Sequence, residues 1–174
     1  MAALILTDAP APITPGPRHG RHPSPERRAR EDRLIERAFR VLERRARYER
    51  PPMTSETAAA QFIMARIGGR ERELFDVAFL DGRNHLLAAE TLFAGSIGSC
   101  EVAIRVILQR ALALNAAAVI LAHNHPSGDP TPSETDKRLT TEVRAALGFA
   151  DMRVLDHIIV GEYKHFSFAA HGLL

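Results

Sequence analysis

The most distinctive residues of the chain are two histidines and an aspartate, placed where a buried strand gives way to a helix. His123 and His125 follow a run of apolar residues, 116–122, that predicts a buried strand. Because side chains two apart along a strand point to the same side, the two imidazoles can converge on one point. Asp136 lies three residues after Ser133, a good N-cap, and so in the first turn of the next predicted helix. Two imidazoles and one carboxylate would form a zinc site that leaves a fourth position for water.

Such a site predicts hydrolytic chemistry. A zinc ion with an open position lowers the pKa of its bound water to about 7. Hydrolysis of a carbonyl compound also needs a base for the water's proton and a donor for the developing oxyanion. Ser133, close in sequence to the ligands, could be that donor. The carboxylates around the neighbouring hairpin are Glu71, Glu73 and Glu90, and Glu73 is modestly favoured as the base because it lies at a sheet end, as the histidines do.

The elements that must position these residues alternate along the chain. Helices are predicted at 24–50, 55–67, 101–114 and 133–147. Strands are predicted at 74–80, 86–93, 116–122, 153–160 and 165–169. Helices interleaved with a mixed β-sheet indicate an α/β fold, with one domain over residues 53–174.

The first 50 residues have a different composition. They hold 12 Arg against 7 acidic residues, whereas residues 51–174 hold 11 basic and 14 acidic residues. Residues 1–23 are rich in proline and predict a disordered leader, and residues 24–50 predict an Arg-rich amphipathic helix. The apolar stripe of this helix could pack on the body, pair with a second copy in a homodimer, or lie on nucleic acid. Weak nucleic-acid contact is less favoured than a solvated face, because acidic residues are interspersed with the arginines.

The single cysteine, Cys100, excludes internal disulfides and a cysteine-based zinc finger. A small buried side chain is favoured there over a catalytic thiol. The opening residues have no basic region before their short apolar run, and no stretch reaches transmembrane length. A cytoplasmic protein without membrane contact is expected.

Five positions, taken together, resemble a known signature. Glu73, His123-Asn124-His125-Pro126, Ser133 and Asp136 match the complete motif of the JAMM (MPN-type) metalloproteases. The surrounding sequence is more similar still to the RadC family, over roughly residues 60–174. The matching stretches are residues 73–81, 92–95, 114–133, 154–161, 166–168 and 172–174.

The resemblance implies a JAMM-like α/β fold that holds Zn²⁺ on His123, His125 and Asp136. It implies that Glu73 is the general acid/base and that Ser133 stabilises the oxyanion or binds the water. JAMM enzymes hydrolyse peptide or isopeptide bonds, so a peptide or isopeptide substrate is expected. RadC proteins carry a historical DNA-repair label and have no well-settled substrate.

The chain departs from the family pattern at two places. Full-length members carry an N-terminal region that resembles a helix-hairpin-helix, whereas here the leader and the Arg-rich helix stand in its place. The chain thus resembles the short, stand-alone form, and the expectation of DNA contact is weaker. The helix after Gly95 usually opens with Pro-Arg-Glu, and here the triplet is Ile104-Arg105-Val106.

Three other functions are alternatives to a peptidase. The letters His-Asn-His suggest an HNH nuclease, but that motif names three dispersed residues and leaves Asp136 unexplained. A DNA-processing enzyme with the same zinc site is a stronger alternative, because metal-bound hydroxide also attacks phosphorus. It would need a basic groove, and residues 51–174 are net acidic. A non-catalytic interaction module is disfavoured because all five motif positions are present.

The remaining histidines of the body have plainer interpretations. His157, after Asp156 in a predicted strand, is expected in the core or behind a ligand and not as a fourth ligand. His85, His165 and His171 are expected at the surface or in turns.

Overall fold

The computed structural model describes residues 24–49, 52–53, 55–95 and 102–174. The predicted leader and Cys100 lie outside the described residues. The chain divides into two units, Met1–Glu36 and Arg37–Leu174. All five strands and three of the four described helices lie in the second unit.

Helices and strands follow one another in the predicted order. They are α1 Pro25–Glu49, α2 Glu56–Ile67, β1 Leu74–Leu80, β2 Leu86–Ala94, α3 Ile104–Ala113, β3 Ala118–Asn124, α4 Glu134–Gly148, β4 Arg153–Val160 and β5 His165–Ser167. The predicted bounds of β1 and β4 are confirmed. The predicted β3 started two residues early, and in the structure the strand extends through His123 and Asn124. The predicted β5 was two residues too long.

The five strands form one mixed sheet in the order β2-β1-β3-β4-β5. Strand β1 is antiparallel to both β2 and β3, and β5 is antiparallel to β4. Strands β3 and β4 are parallel, and α4 connects them, as a crossover between parallel strands requires. The predicted α/β fold with a mixed sheet flanked by helices is therefore confirmed.

The two faces of the sheet bury two separate apolar clusters. Helix α2 packs on one face, where Ile63 and Ile67 meet Ile120 of β3. The other face carries α3 and α4, where Ile107 and Val143 lie with their neighbours over Leu121. Because alternate residues of β3 point to opposite faces, His123 lies on the α4 face and Asn124 on the α2 face.

A buried ion pair attaches α2 to the sheet. The guanidinium of Arg66, in the last turn of α2, donates to the buried Asp76 carboxylate of β1 over 2.7 Å. At the other end of α2 the side chain of Ser55 accepts a hydrogen bond of 3.1 Å from the Ala58 amide, as a helix N-cap does. Both ends of α2 are thereby fixed, and so is the chain that leads from it to Glu73.

Helix α1 begins where the sequence predicted. The Ser24 hydroxyl accepts a 3.3 Å hydrogen bond from the Arg27 amide, and Arg27 pairs with Glu31 one turn later at 2.8 Å. Leu34 of the predicted apolar stripe is 65% exposed and Ile35 is 40% exposed. The partner of this stripe stays a prediction. Among the described helices, none is both long and apolar enough to cross a membrane.

Candidate metal centre

His123 lies near the end of a central strand. It pairs with Phe75 of β1 on one side and with Ile159 of β4 on the other, and its ring stacks on that of Phe75. The side chain is almost fully buried. Burial lowers the pKa of His123 to about 4, with the nearby Asp136 opposing that effect and His125 adding to it. The imidazole is therefore neutral at physiological pH and has a lone pair to offer.

His125 is held just beyond the strand by its backbone and its ring. Its amide donates to the Val160 carbonyl over 2.8 Å, and its Nδ1–H donates to the Asp129 carbonyl over 2.7 Å. Since a carbonyl only accepts, the proton of the neutral ring is on Nδ1, and Nε2 carries the lone pair. The side chain is 20% exposed.

The loop that contains Asp129 packs against the turn after β4. Gly128 has a φ of +85°, a conformation that favours glycine, and its carbonyl accepts from the Glu162 amide at 3.2 Å. A Cβ on Gly161 would collide with the Gly128 carbonyl oxygen. The absence of a side chain at Gly161 therefore allows the loop to approach closely enough to orient His125.

Asp136 is oriented by the cap of α4. Ser133 accepts from the Asp136 amide at 3.2 Å, and the Asp136 carboxylate accepts from the Ser133 amide at 2.7 Å, which is the predicted capping arrangement. The Ser133 hydroxyl also donates to the same carboxylate oxygen over 2.6 Å. Its one hydrogen is therefore directed at Asp136 in this structure.

The three side chains converge. His123 Nε2 is 2.9 Å from His125 Nε2 and 3.3 Å from Asp136 Oδ1, and His125 Nε2 is 3.7 Å from Asp136 Oδ2. When each ring carries a single proton, on Nδ1, all of these atoms are acceptors, and a cation among them would offset the repulsion of their lone pairs. Ligand atoms bound tetrahedrally to zinc at about 2.0–2.1 Å would be about 3.3 Å apart. The donor set therefore fits the zinc pattern that the sequence predicted.

Glu73 immediately precedes β1. Partial burial raises the pKa of its carboxyl, His125 opposes that effect, and Asp136 adds to it. The carboxyl of Glu73 is therefore electrostatically coupled to two members of the cluster. Glu90 is engaged elsewhere, since it accepts two hydrogen bonds from Arg110, at 2.7 and 2.6 Å.

Asn124, between the two histidines, is a residue for which no individual role was predicted. In the structure it is buried on the α2 face and makes three hydrogen bonds to the backbone that carries Glu73. Its Oδ1 accepts from the Leu74 amide at 2.8 Å, and its Nδ2 donates to the carbonyls of Arg70 and Arg72 at 3.2 and 3.0 Å. Its position between two candidate ligands at a strand end could have indicated this place, because alternate residues of a strand point to opposite faces of the sheet.

Two buried residues, His157 and Thr140, lie behind His123, and only His157 was expected there. His157 lies with its Nε2 2.9 Å from His123 Nδ1, in keeping with the expected place behind a ligand. Thr140 of α4, for which no role was predicted, is 2.6 Å from His157 Nδ1. The available signal was its spacing, because Thr140 is four residues after Asp136 and therefore shares its helix face.

The other described histidines lie outside the cluster. His85 is 3.4 Å from Asp81 in the β1–β2 turn, and His165 is 2.6 Å from Glu56. His171 donates to the Ser167 carbonyl over 2.7 Å near the end of the chain. Among the described residues, His123, His125 and Asp136 are the one group of three that could hold a metal ion.

Comparison with known proteins identifies the family of this chain. A RadC-like JAB domain model matches residues 53–173. The chain is 51% identical over 142 residues to the UPF0758 protein YfjY of Escherichia coli (strain K12), covering 82% of this chain and 89% of that protein. The UPF0758 protein YeeS of the same strain is 49% identical over 141 residues, 81% of this chain and 95% of its own. A UPF0758 protein of Stenotrophomonas maltophilia (strain R551-3) is 45% identical over 140 residues, 80% of this chain and 60% of its own. The chain therefore belongs to the RadC family, whose JAB domain is part of the JAMM/MPN superfamily.

Proposed function

We propose that this protein is a zinc-dependent hydrolase, a metallopeptidase or isopeptidase of the JAMM type, with His123, His125 and Asp136 as the zinc ligands. The observation that carries the proposal is the convergence of two imidazoles and a carboxylate, 2.9 to 3.7 Å apart, electrostatically coupled to Glu73, whose pKa is raised by partial burial. Three protein ligands leave a fourth position for water, as in catalytic zinc sites.

A bound zinc ion would supply a water of lowered pKa and would polarise the scissile carbonyl. Glu73 is the residue proposed to take the water's proton and to pass it to the leaving amine. A carboxyl with a raised pKa is a stronger base once ionised, and its protonated form persists closer to neutral pH, so it can serve in both steps. The Asn124 side chain holds the backbone on either side of Glu73 to the strand that bears His123 and leads into His125.

Ser133 is proposed to act in one of two ways that measurements can separate. Its hydroxyl donates to Asp136, so it can fix the orientation of that ligand. To donate to an oxyanion, as the family resemblance implies, the hydroxyl would have to rotate away from the carboxylate. If Ser133→Ala weakens zinc binding, the first role is supported. If it lowers kcat at unchanged zinc affinity, the second is.

The test is metal analysis combined with hydrolysis assays on a peptide library, on isopeptide-linked peptides and on DNA. We expect about one zinc per chain in the wild type and in Glu73→Gln. Hydrolysis of amide bonds should occur in the wild type and be lost in the variant, because the proton acceptor is gone. Wild-type protein that binds no zinc would overturn the proposal, and so would amide hydrolysis that survives Glu73→Gln. DNA cleavage without amide hydrolysis would favour the nucleic-acid function instead.

A further inference from the structure

Behind His123 a chain of buried polar groups leads back to the first turn of α4. The Thr140 hydroxyl is 2.6 Å from the Asp136 carbonyl oxygen and 2.6 Å from His157 Nδ1. His157 Nε2 is in turn 2.9 Å from Nδ1 of His123. Thr140 is 2% exposed and His157 is fully buried. The chain thus joins the backbone of one proposed ligand to the ring of another, without solvent between them.

Counting hydrogens fixes the direction of every bond in this chain. A carbonyl only accepts, so the single hydroxyl hydrogen of Thr140 is used on the Asp136 carbonyl. The Thr140 oxygen must then accept from His157 Nδ1–H. A neutral imidazole carries one proton, so His157 Nε2 accepts from His123 Nδ1–H. The lone pair of His123 is left on Nε2, the atom that faces His125 and Asp136.

The reverse direction is unfavourable at the Thr140 end and incompatible with metal binding at the His123 end. If Thr140 donated to His157, its oxygen would face the Asp136 carbonyl oxygen at 2.6 Å with no hydrogen between them. The proton of His157 would move to Nε2, and that of His123 would move to its own Nε2. That N–H would find an acceptor in His125 Nε2, 2.9 Å away, but it would point at the place where a metal ion must bind, and His123 could not be a ligand.

We infer that Thr140 and His157 are positioning residues that hold His123 with its proton on Nδ1 and its lone pair on Nε2. The inference rests on the proposed function, since it takes His123 to be a metal ligand. Histidine ligands usually donate their second N–H to a carboxylate, a backbone carbonyl or water, each of which only needs to accept. Here the acceptor is another imidazole, which could equally well donate, so the Thr140 hydroxyl is required to set its direction.

The chain offers a matched control for a test. Thr141, the next residue of α4, donates to the Lys137 carbonyl over 3.0 Å, one turn back, as Thr140 does to Asp136. Thr141 is exposed, whereas Thr140 is buried against His157. Replacement by valine removes the same hydroxyl from both positions at nearly constant volume, but only at Thr140 does it free the proton of His157.

The experiment measures the zinc affinity of the metal-free full chain by competition with a chromophoric chelator. We expect Thr140→Val to weaken zinc binding about tenfold or more, within the range of about 10–100-fold known for partners of histidine ligands. Thr140→Ser, which keeps the hydroxyl, and Thr141→Val should bind zinc within about threefold of the wild type. Equal affinity of Thr140→Val and Thr141→Val would overturn the inference and leave the zinc site standing. A wild type that binds no zinc would overturn both.

A second measurement does not depend on the folding of any variant. Nitrogen-15 NMR spectra of the histidine rings in metal-free wild type distinguish which nitrogen carries the proton. We expect the proton on Nδ1 in both His123 and His157. A proton on Nε2 of His157 would overturn the inference.

Discussion

The side chain of Asn124 offers a direct test of how the backbone around Glu73, the proposed base, is held to β3. Asn124→Asp preserves the shape of the side chain and its acceptor for the Leu74 amide, but it removes both donors to the carbonyls of Arg70 and Arg72. Two lost hydrogen bonds at about 0.5–1.5 kcal/mol each give about 1–3 kcal/mol. The carboxylate also faces those carbonyls in a buried position, so we expect a total loss of about 2–4 kcal/mol in the free energy of unfolding.

The assay is urea unfolding of the metal-free protein, with Asn115→Asp as the matched control. Asn115 is exposed beyond the opposite end of β3, with a φ of +51° that aspartate also adopts, and a negative charge just after α3 costs at most about 1 kcal/mol, so the same chemical change there should alter stability by less than about 1 kcal/mol. The buried environment should raise the pKa of the carboxyl introduced at position 124. The pKa of this carboxyl is then higher in the folded state than in the unfolded state. The loss in unfolding free energy is therefore largest at neutral pH, and it shrinks as the pH falls from the folded-state pKa to the unfolded-state pKa. Equal urea midpoints for Asn124→Asp and Asn115→Asp would refute this role of Asn124. A loss of unfolding free energy in Asn124→Asp that did not change with pH would refute it as well.

Two further predictions concern the loop that orients His125 and the ionisation of Glu73. Gly161→Ala should cost about 1–3 kcal/mol, because the new Cβ collides with the Gly128 carbonyl, and it should weaken zinc binding by displacing the Asp129 carbonyl from His125. Gly82→Ala, where a Cβ meets nothing within 4 Å, is the control, and equal urea midpoints for these two variants would contradict the reasoning. Glu73→Gln should make the metal-free protein more stable at neutral pH, because burial raises the folded-state pKa of Glu73 and ionisation is therefore unfavourable in the fold. The gain should vanish as pH falls below the ordinary value of 4.5, and a gain that instead grew in acid would show that the sign is wrong.

Much of the fold could be predicted because its signals are local. The bounds of β1 and β4 follow from short runs of apolar residues, and Ser55 and Ser133 act as the helix caps that their types suggest. The bounds of β3 did not follow from its apolar run. Pairing with β1 and β4 continues through His123 and Asn124, and a polar side chain at a strand end gives no sign that its backbone is still paired.

The candidate cluster was predicted because its residues lie within 14 positions of one another, on a strand end and the next helix start. The groups that hold the cluster could not be predicted in the same way. Asn124 meets a backbone about 50 residues away, and Thr140 meets His157 only because α4 packs over β4. Such contacts depend on strand register and helix packing, which the pattern of residue types does not fix.

The central claim is that His123, His125 and Asp136 bind one zinc ion together. The most direct measurement is the anomalous diffraction of crystals of the full chain grown with zinc, recorded on both sides of the zinc absorption edge. We expect a single strong peak at about 2.0–2.2 Å from Nε2 of both histidines and from one Asp136 oxygen, with Glu73 within reach of the fourth position. An absence of anomalous density there, or a zinc ion bound by other residues, would contradict it.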